Sequence, residues 1–333
     1  MSQIRMAQYG TAHGHAAGKL NAMLQNPGVE VAGVYEPDPE RRILLAHQHG
    51  PYQDVHWCEN VGDILDDRSI IAIASEGRND ESLDQTEEII TSGKHAWYDK
   101  PAGDNWHQWR HVVEIARSQD LQVQMGYMFR YHDGFRKISS WVKSGLLGSV
   151  FSVRAHMSTT IPEASREVMS VHRGGIFYDL AGHMLDQVVW LLGRPRKVTS
   201  FFHNDTGAVP AFMDNTLGVF EYDNAIALVD IAAMEPGPTA RRFEVYGTAG
   251  SAILLEPFEP GERLRLVLEE AGEGHDAGEQ IVTPDARGRG ELYDLELKSF
   301  LATINGQQPA DRSLDHELLV QETLLRATGD IDE

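Results

Sequence analysis

The sequence is poor in several features that would each point to a particular class of protein. A single cysteine, Cys58, leaves no partner for an internal disulfide, which fits a reducing compartment. No apolar run reaches the roughly 18 residues of a membrane-spanning helix, and the N-terminus lacks a secretory signal pattern. Only 29 Lys and Arg residues stand against 50 Asp and Glu residues, which argues against binding a nucleic-acid backbone. We therefore expect a cytoplasmic protein without nucleic-acid or membrane partners.

The length and the order of the sequence patterns predict two domains. A chain of 333 residues is longer than one hydrophobic core usually serves. Buried strands at 4–9, 55–57, 70–74, 95–97 and 121–126 alternate with helical segments, a pattern typical of a doubly wound parallel sheet. We place this Rossmann domain at 1–126 and a second, α+β domain at 127–333.

The second domain follows a different pattern. A helix is predicted at 135–142, a strand at 150–157, a polar loop at 158–173 and a strong helix at Ile176–Leu192. Successive strands on short turns follow between 197 and 255, which indicates a large, mostly antiparallel open sheet. Residues 272–290 read as a mobile surface loop, and two helices close the chain at 291–305 and 313–328. The fold class is therefore α/β with an added α+β domain.

The first forty residues resemble the opening unit of a dinucleotide-binding domain. A strand enters a tight turn that begins at Gly10, a helix follows, and the next strand ends in Glu36. Ala12 and His15 stand where the usual G-x-G-x-x-G has glycines, so a plain strand–helix turn is the alternative. Glu36 can accept hydrogen bonds from ribose hydroxyls and would repel a 2′-phosphate, which favours NAD over NADP. Arg41 and Arg42 lie nearby and weaken that preference.

Lys100 is the main catalytic candidate of the first domain. It lies between a predicted strand and Pro101, which biases it toward an extended backbone conformation. Ligands of open α/β sheets bind at the carboxyl ends of strands, where this lysine is expected. The alternative is an ordinary surface lysine that precedes a proline. The predicted cofactor contacts are Gly10, Thr11, Ala12, His13, Gly14, His15, Glu36, Ser75, Lys100 and Pro101.

Three polar residues form a stripe on the strongly apolar helix that follows Gly174-Gly175. Asp179, His183 and Asp186 are spaced to share one helical face. A histidine that titrates near neutral pH, with a carboxylate one turn away, is suited to acid–base catalysis. A structural histidine on a solvated face is one alternative. A metal pair is another, but no Cys cluster or second His pair supports it, and no metal is predicted.

Together these motifs resemble the glucose–fructose oxidoreductase, inositol dehydrogenase and rhizopine catabolism (Gfo/Idh/MocA) family. Asp99-Lys100-Pro101 corresponds to the family's Glu-Lys-Pro, and the Gly-Gly, Asp179, His183, Asp186 spacing corresponds to its second motif. Tyr246–Gly250 resembles its Gly-Thr-x-Gly segment. The resemblance covers Ile4 to about Thr328. Asp99 in place of Glu, and a loop at 76–80 without the usual Thr-Pro-Asn, are departures from the pattern.

The resemblance implies an NAD(P)-dependent oxidoreductase acting on a sugar, inositol or related polyol. Lys100 and His183 would transfer protons at the substrate hydroxyl, and Asp179 would position substrate or His183. An NAD-dependent glycoside hydrolase and a non-catalytic NAD-sensing regulator are alternatives on the same scaffold. A homodimer or homotetramer through the second domain's sheet is expected, with Phe220, Ile226 and Leu228 as contributors. The predicted substrate contacts are Lys100, Tyr127, Arg130, His156, His172, Arg173, Asp179 and His183.

Overall fold

The computed structural model describes residues 3–332. The chain divides into two compact units, one of residues up to Tyr127 together with Arg289–Leu318, the other of Met128–Gly288 together with residues from Leu319 onward. The first unit is thus built from two separate stretches of the chain. The predicted domain boundary after residue 126 stays a prediction.

A five-stranded parallel sheet forms the centre of the first unit, as the sequence predicted. Its strand order is β2-β1-β3-β4-β5, with every neighbouring pair parallel. These strands are apolar and buried because helices cover both faces of such a sheet. The predicted strand at 55–57 is wrong, since only Trp57 forms an isolated bridge, to Val34. The strands are β1 Ile4–Tyr9, β2 Val29–Tyr35, β3 Ile70–Ser75, β4 His95–Tyr98 and β5 Val123–Met125.

Helices connect these strands, and side-chain caps fix where two of them begin. Asp38 accepts hydrogen bonds from the backbone N–H groups of Glu40 and Arg41 and so starts the second helix. Asn105 starts the fifth helix by accepting a hydrogen bond from the backbone N–H of Gln108. The helices are α1 Ala16–Gln25, α2 Pro39–His47, α3 Gly62–Leu65, α4 Ser82–Thr91 and α5 Trp106–Ser118.

An eight-stranded sheet forms the second unit, in the order β13-β12-β11-β10-β6-β9-β8-β7. All pairs are antiparallel except β6 with β9, which confirms the predicted mostly antiparallel sheet. The strands are β6 Val150–His156, β7 Lys197–His203, β8 Asn215–Glu221, β9 Ile226–Ala232, β10 Arg242–Gly247, β11 Gly250–Leu254, β12 Leu264–Leu268 and β13 Gly278–Val282.

Alternation along each strand gives this sheet one buried face and one face that is at least partly exposed. Phe220 is fully buried and lies on the inner face, so its expected place on an outer interface is wrong. Leu228 and Ile226 do belong to the outer face, opposite Val219 and Glu221 of β8. This outer face carries an apolar set of residues: Phe201, Leu217, Val219, Ile226, Leu228, Ile253, Val267 and Ile281.

Helices of the second unit cover the inner face, and one of them was not predicted. The helix expected at Ile176–Leu192 is present with those bounds and packs against β8 and β9. The predicted polar loop at 158–173 contains a short helix, and the predicted loop at 272–290 contains β13. Besides a 3₁₀ turn at Met128–Tyr131, the helices are α6 Asp133–Ser144, α7 Glu163–Met169 and α8 Ile176–Leu192.

Two helices end the chain, close to their predicted positions. Helix α9 spans Arg289–Ile304 and packs against α1 in the first unit. Helix α10 spans Leu314–Thr328, and the division between the units falls within it. Among residues 3–332, no helix combines the length and apolar character needed to cross a bilayer.

Candidate functional site

The turn between β1 and α1 is closely packed against the loop that follows β3. Gly10 has a φ of +78°, and a Cβ there would lie 2.7 Å from the backbone nitrogen of Gly77. The N–H of His13 donates to the carbonyl of Glu76 at 3.0 Å. Gly10 is therefore required both for its backbone conformation and for the close approach of two chain segments. Ala12 and Gly14 lie at the surface of this turn.

Helix α1 presents an N-terminus suited to an anion. Its N-cap residue, His15, makes no side-chain cap hydrogen bond, and the described first turn contains no acidic residue. The backbone N–H groups of such a terminus attract phosphate through hydrogen bonds and the helix dipole. The small residue Ala12 precedes this terminus, so the turn fits a dinucleotide pyrophosphate.

Glu36 is anchored at the carboxyl end of β2. Its carboxylate accepts from the Thr11 hydroxyl at 2.5 Å and from the N–H of Asp38 at 3.0 Å. Arg41 donates to the Thr11 hydroxyl at 2.9 Å and lies 4.0 Å from the Glu36 carboxylate. The expected ribose acceptor is thus held in a fixed position, beside Arg41, which we expected to weaken a preference for NAD.

Lys100 is buried rather than exposed on the surface. Only 4% of it is accessible, and its backbone N–H donates to the Asp99 carboxylate at 2.8 Å. Pro101 is buried as well and follows through a cis peptide bond. Ser75 lies at the end of the neighbouring strand β3, where its hydroxyl accepts from Thr86 at 2.9 Å. The structure therefore brings Lys100, Ser75 and the glycine turn to the same edge of the sheet.

Asp99 is the centre of a buried charged cluster. His15 Nδ1 lies 3.1 Å from both of its carboxylate oxygens, and His13 Nδ1 lies 3.3 Å from Oδ2. Lys19 Nζ lies 3.0 Å from Asp99 Oδ2 and 3.0 Å from Glu76 Oε1. Burial favours neutral Asp99, but the contacts with His13, His15 and Lys19 outweigh it and hold the pKa of the Asp99 carboxyl well below its usual range.

Burial shifts the other members of the cluster in different directions. It lowers the pKa of His15 to about 4, although Asp99 opposes that change. It raises the pKa of Glu76 well above the ordinary value despite the nearby Lys19. Burial also disfavours the charged form of Lys19, yet Asp99 and Glu76 raise its pKa above normal. At neutral pH the cluster therefore holds an ammonium beside an ionised Asp99 and an uncharged His15.

The second motif lies on α8 within the second unit. Gly174 and Gly175 have positive φ angles of +82° and +51° and lead into the helix. Asp179 is half-buried in its first turn, and the buried ring of His183 packs edge-on against Phe129 at 5.1 Å. The helix thus positions both candidate catalytic groups of this unit.

Asp186, the third residue of the stripe, forms an ion pair with Arg130. Arg130 donates to its Oδ1 through Nε at 3.0 Å and Nη2 at 2.7 Å, and Gln187 donates to Oδ2 at 3.0 Å. Both charged side chains are almost completely buried. Asp186 and Arg130 therefore form a buried ion pair within this unit. A contact of Arg130 with substrate stays a prediction.

The remaining candidate substrate residues have different surroundings. Tyr127 is buried in the first unit, and the buried His172 stacks on Tyr178 at 4.3 Å in the second. Arg173 is largely exposed and donates to the carbonyl of Gly329. His156 places Nδ1 2.6 Å from Asp230 and Nε2 2.9 Å from Glu235, so carboxylates engage both ring nitrogens. Their roles toward a substrate stay predictions.

The sequence did not reveal Lys19 and Glu76 as members of a buried cluster. Lys19 lies one helical turn after His15, a spacing that places both on one face of α1. Glu76 lies directly after β3, at the sheet edge where ligand-binding residues are expected. Burial of these two charges could not be read from spacing alone, because it depends on α9 covering α1.

The comparisons with known proteins agree with this fold. Residues 5–127 match the oxidoreductase family with an NAD-binding Rossmann fold, and residues 135–253 match the GFO/IDH/MocA C-terminal domain. The first match defines an NAD-binding oxidoreductase. The two matches together cover most of the chain, and the protein belongs to the Gfo/Idh/MocA family.

Two curated relatives are about a quarter identical to this chain over the segments that align. The rhizopine catabolism protein MocA of Rhizobium meliloti is 24% identical over 70% of this chain and 73% of its own length. Inositol 2-dehydrogenase 3 of Saccharopolyspora erythraea is 24% identical over 83% and 78%. Levoglucosan dehydrogenase in complex with NADH and levoglucosan superimposes with a TM-score of 0.85 at 15% identity, covering 99% and 97% of the two chains. That last similarity concerns the fold.

Proposed function

We propose that this protein is an NAD-dependent dehydrogenase that oxidises or reduces a sugar, inositol or related polyol at a CH–OH group. The observation that carries the proposal is the buried Lys100, which follows the carboxyl end of β4 in an NAD-binding domain and whose backbone N–H donates to Asp99. A buried lysine needs a reason to be there, since burying an ammonium is costly. The printed names of relatives, inositol 2-dehydrogenase and levoglucosan dehydrogenase, support the substrate class.

In this proposal side chains of the protein accept and donate the proton of the substrate hydroxyl. Lys100 and His183 exchange the hydroxyl proton, and Asp179 orients His183 or the substrate. Bound NAD supplies the hydride acceptor or donor, and that chemistry belongs to the cofactor. The turn Gly10–His15 holds the pyrophosphate, and Glu36 accepts from the ribose hydroxyls, so we infer a preference for NAD over NADP. Tyr127, Arg130, His156, His172 and Arg173 remain the candidate substrate contacts.

Replacing Lys100 tests this function. In Lys100→Met the amine is lost while the side-chain length is kept, and we expect turnover to fall by about 10²- to 10⁴-fold. NADH binding, followed by nicotinamide fluorescence, should persist because the turn and Glu36 are unchanged. Lys197→Met is the matched control, since Lys197 is exposed on edge strand β7 and should leave turnover unaltered. Wild-type turnover in Lys100→Met would reject the catalytic role.

The assay uses a panel of sugars, inositols and glycosides, with the nicotinamide absorbance as readout. Formation of NADH with an inositol or sugar supports the proposed dehydrogenase. Sugar release from a glycoside without net NADH would instead identify an NAD-dependent glycoside hydrolase. Tight NADH binding without turnover of any compound would point to an NAD-sensing regulator.

We also propose a homodimer or homotetramer formed through the outer face of the eight-stranded sheet. Register places Phe201, Ile226 and Ile281 on this face, and each is more than half exposed, at 54%, 51% and 51%. Large exposed apolar areas mark interaction surfaces. A reducing, cytoplasmic setting stays a prediction from the single cysteine.

A further inference from the structure

Three metal-ligating side chains converge beside the glycine turn. His13 and His15 come from the turn and the start of α1, and Asp99 comes from the end of β4. One ligand atom from each residue lies within 4.8 Å of the other two. Asp99 is buried, and the imidazole side chains of His13 and His15 are only 8% and 11% exposed. Two imidazoles and a carboxylate are a ligand set that divalent transition metals use.

The distances between these atoms suit tetrahedral coordination. Metal bonds of about 2.0–2.2 Å at tetrahedral angles separate two ligand atoms by about 3.3–3.5 Å. His13 Nδ1 lies 3.3 Å and His15 Nδ1 lies 3.1 Å from Asp99 Oδ2. Little movement would therefore be needed to admit an ion between the carboxylate and either imidazole.

His13 presents one nitrogen to two neighbours. Its Nδ1 accepts the backbone N–H of His15 at 3.2 Å and lies 3.3 Å from Asp99 Oδ2. A cation between Nδ1 and Oδ2 would bond to both atoms, at the cost of that long backbone hydrogen bond.

Lys19 is the side chain that opposes metal binding, because its ammonium lies 3.0 Å from Asp99 Oδ2. Lys19 Nζ also lies 3.0 Å from Glu76 Oε1, and the buried Glu296 acts on it as well. Asp99 is therefore not the sole acidic partner of Lys19.

We propose that His13, His15 and Asp99 form a binding site for a divalent transition metal, with Zn²⁺ as the ion best suited to this ligand set. Three protein ligands leave a further coordination position for water or another small ligand. The site adjoins the turn that holds the cofactor in the proposed function but does not depend on that function. Its test therefore uses metal binding, not activity.

Cobalt is the probe, because Co²⁺ occupies zinc sites and gives visible d–d absorption that reports coordination. Full-length protein is stripped with a chelator and titrated with Co²⁺, and bound metal is also counted by mass spectrometry after dialysis against Zn²⁺. We expect one equivalent per chain and the intense visible bands of tetrahedral Co²⁺. His13→Gln and Asp99→Asn should each weaken Co²⁺ binding by at least about 100-fold, more than the loss of an outer partner would.

His156→Gln is the matched control. It removes an imidazole that also lies between carboxylates, those of Asp230 and Glu235, but at a different place in the chain. Co²⁺ binding should be unchanged in it. Absence of stoichiometric binding in the wild type overturns the proposal, as does equal loss in the control. If Asp99→Asn does not fold, His13→Gln compared with His156→Gln decides the question.

NADH fluorescence in the same samples separates this proposal from the proposed function. Metal binding without NADH binding would sustain the site while contradicting the dehydrogenase. NADH binding without metal binding would overturn the metal site and leave the proposed function standing. It would indicate that the three residues serve only as a hydrogen-bonded cluster around Asp99.

Discussion

The Arg130–Asp186 pair shows how one residue can matter to stability rather than to chemistry. Both side chains are withdrawn from water, and each carboxylate oxygen already has a donor. The sequence grouped Asp186 with the catalytic candidates Asp179 and His183, because their spacing places all three on one helical face. The spacing does not show which side chain Asp186 contacts. That partner comes from a 3₁₀ turn more than fifty residues earlier, which local pattern cannot reveal.

Removing one member of this pair should be costly. Asp186→Leu leaves the Arg130 guanidinium buried without its counter-charge, and we expect a loss of about 3–5 kcal/mol in the free energy of unfolding. Urea denaturation followed by circular dichroism measures it. The double variant Arg130→Met with Asp186→Leu should recover much of that loss, because no lone charge remains. A single variant as stable as wild type would contradict the structural role.

His156 makes stability depend on pH in a defined direction. Its hydrogen bond to Asp230 raises its pKa above the ordinary 6.5, since the charged imidazole gains a carboxylate partner. A raised pKa in the folded state adds stability that is fully present below about pH 6.5 and is lost as pH rises through the folded value. The difference in unfolding free energy between wild type and His156→Gln should therefore shrink from pH 6 to pH 9. A difference that grows with pH would disprove this assignment.

At the scale of elements, the β1–α1 turn requires a glycine at position 10. Gly10→Ala would place a Cβ against the backbone of Gly77 in a left-handed conformation, so we expect a loss of at least about 2 kcal/mol. NADH binding should weaken as the turn shifts. Gly14→Ala is the matched control, because a Cβ there meets nothing within 4 Å. Thermal unfolding compares the two, and equal melting temperatures would contradict the close packing at Gly10.

Elements with strong periodic patterns were predictable, and weakly patterned ones were not. Helix α8 and strand β1 have the predicted bounds because their apolar spacing is unambiguous. Helix α7, with seven residues and one buried side chain, has too little apolar spacing to distinguish it from a loop. Strand β13 is an edge strand with no buried residue, and its glycines and charges concealed it. Pairing with β12 forms it, which is a long-range effect.

At the scale of the whole molecule, the outer sheet face is expected to govern assembly. Ile226→Glu would place a charge in the proposed interface, and we expect the apparent dissociation constant of the oligomer to rise by about 100-fold or more. Light scattering coupled to size-exclusion chromatography measures the mass. Ile71→Glu, at an equally apolar and 43% exposed position of the first unit, is the matched control. An unchanged mass for Ile226→Glu would reject this face as the interface.

The candidate site was predictable at the level of motifs, but its electrostatics were not. The positions of Lys100 and Glu36 at strand ends and of the glycine turn were predictable, because strand ends and turn residues are visible in the sequence, while their roles stay predictions. The cluster of His13, His15, Lys19, Glu76 and Asp99 depends on which side chains become buried together. Burial there requires residues much later in the chain. The ring of Tyr293 lies beside His15, although the two residues are about 280 positions apart in the sequence, and it also occupies the space that a Cβ at Gly18 would need.

The return of α9 to the first unit has a consequence for how this protein is made. The ribosome releases the dinucleotide-binding half of the molecule long before it releases Arg289–Ile304, yet that segment completes the packing around α1. During synthesis the apolar face of α1 therefore stays exposed until Arg289–Ile304 has emerged from the ribosome. Fragments ending before residue 289 should therefore lack the packing that completes the first unit. Fusions at the C-terminus must leave α9 able to pack against α1.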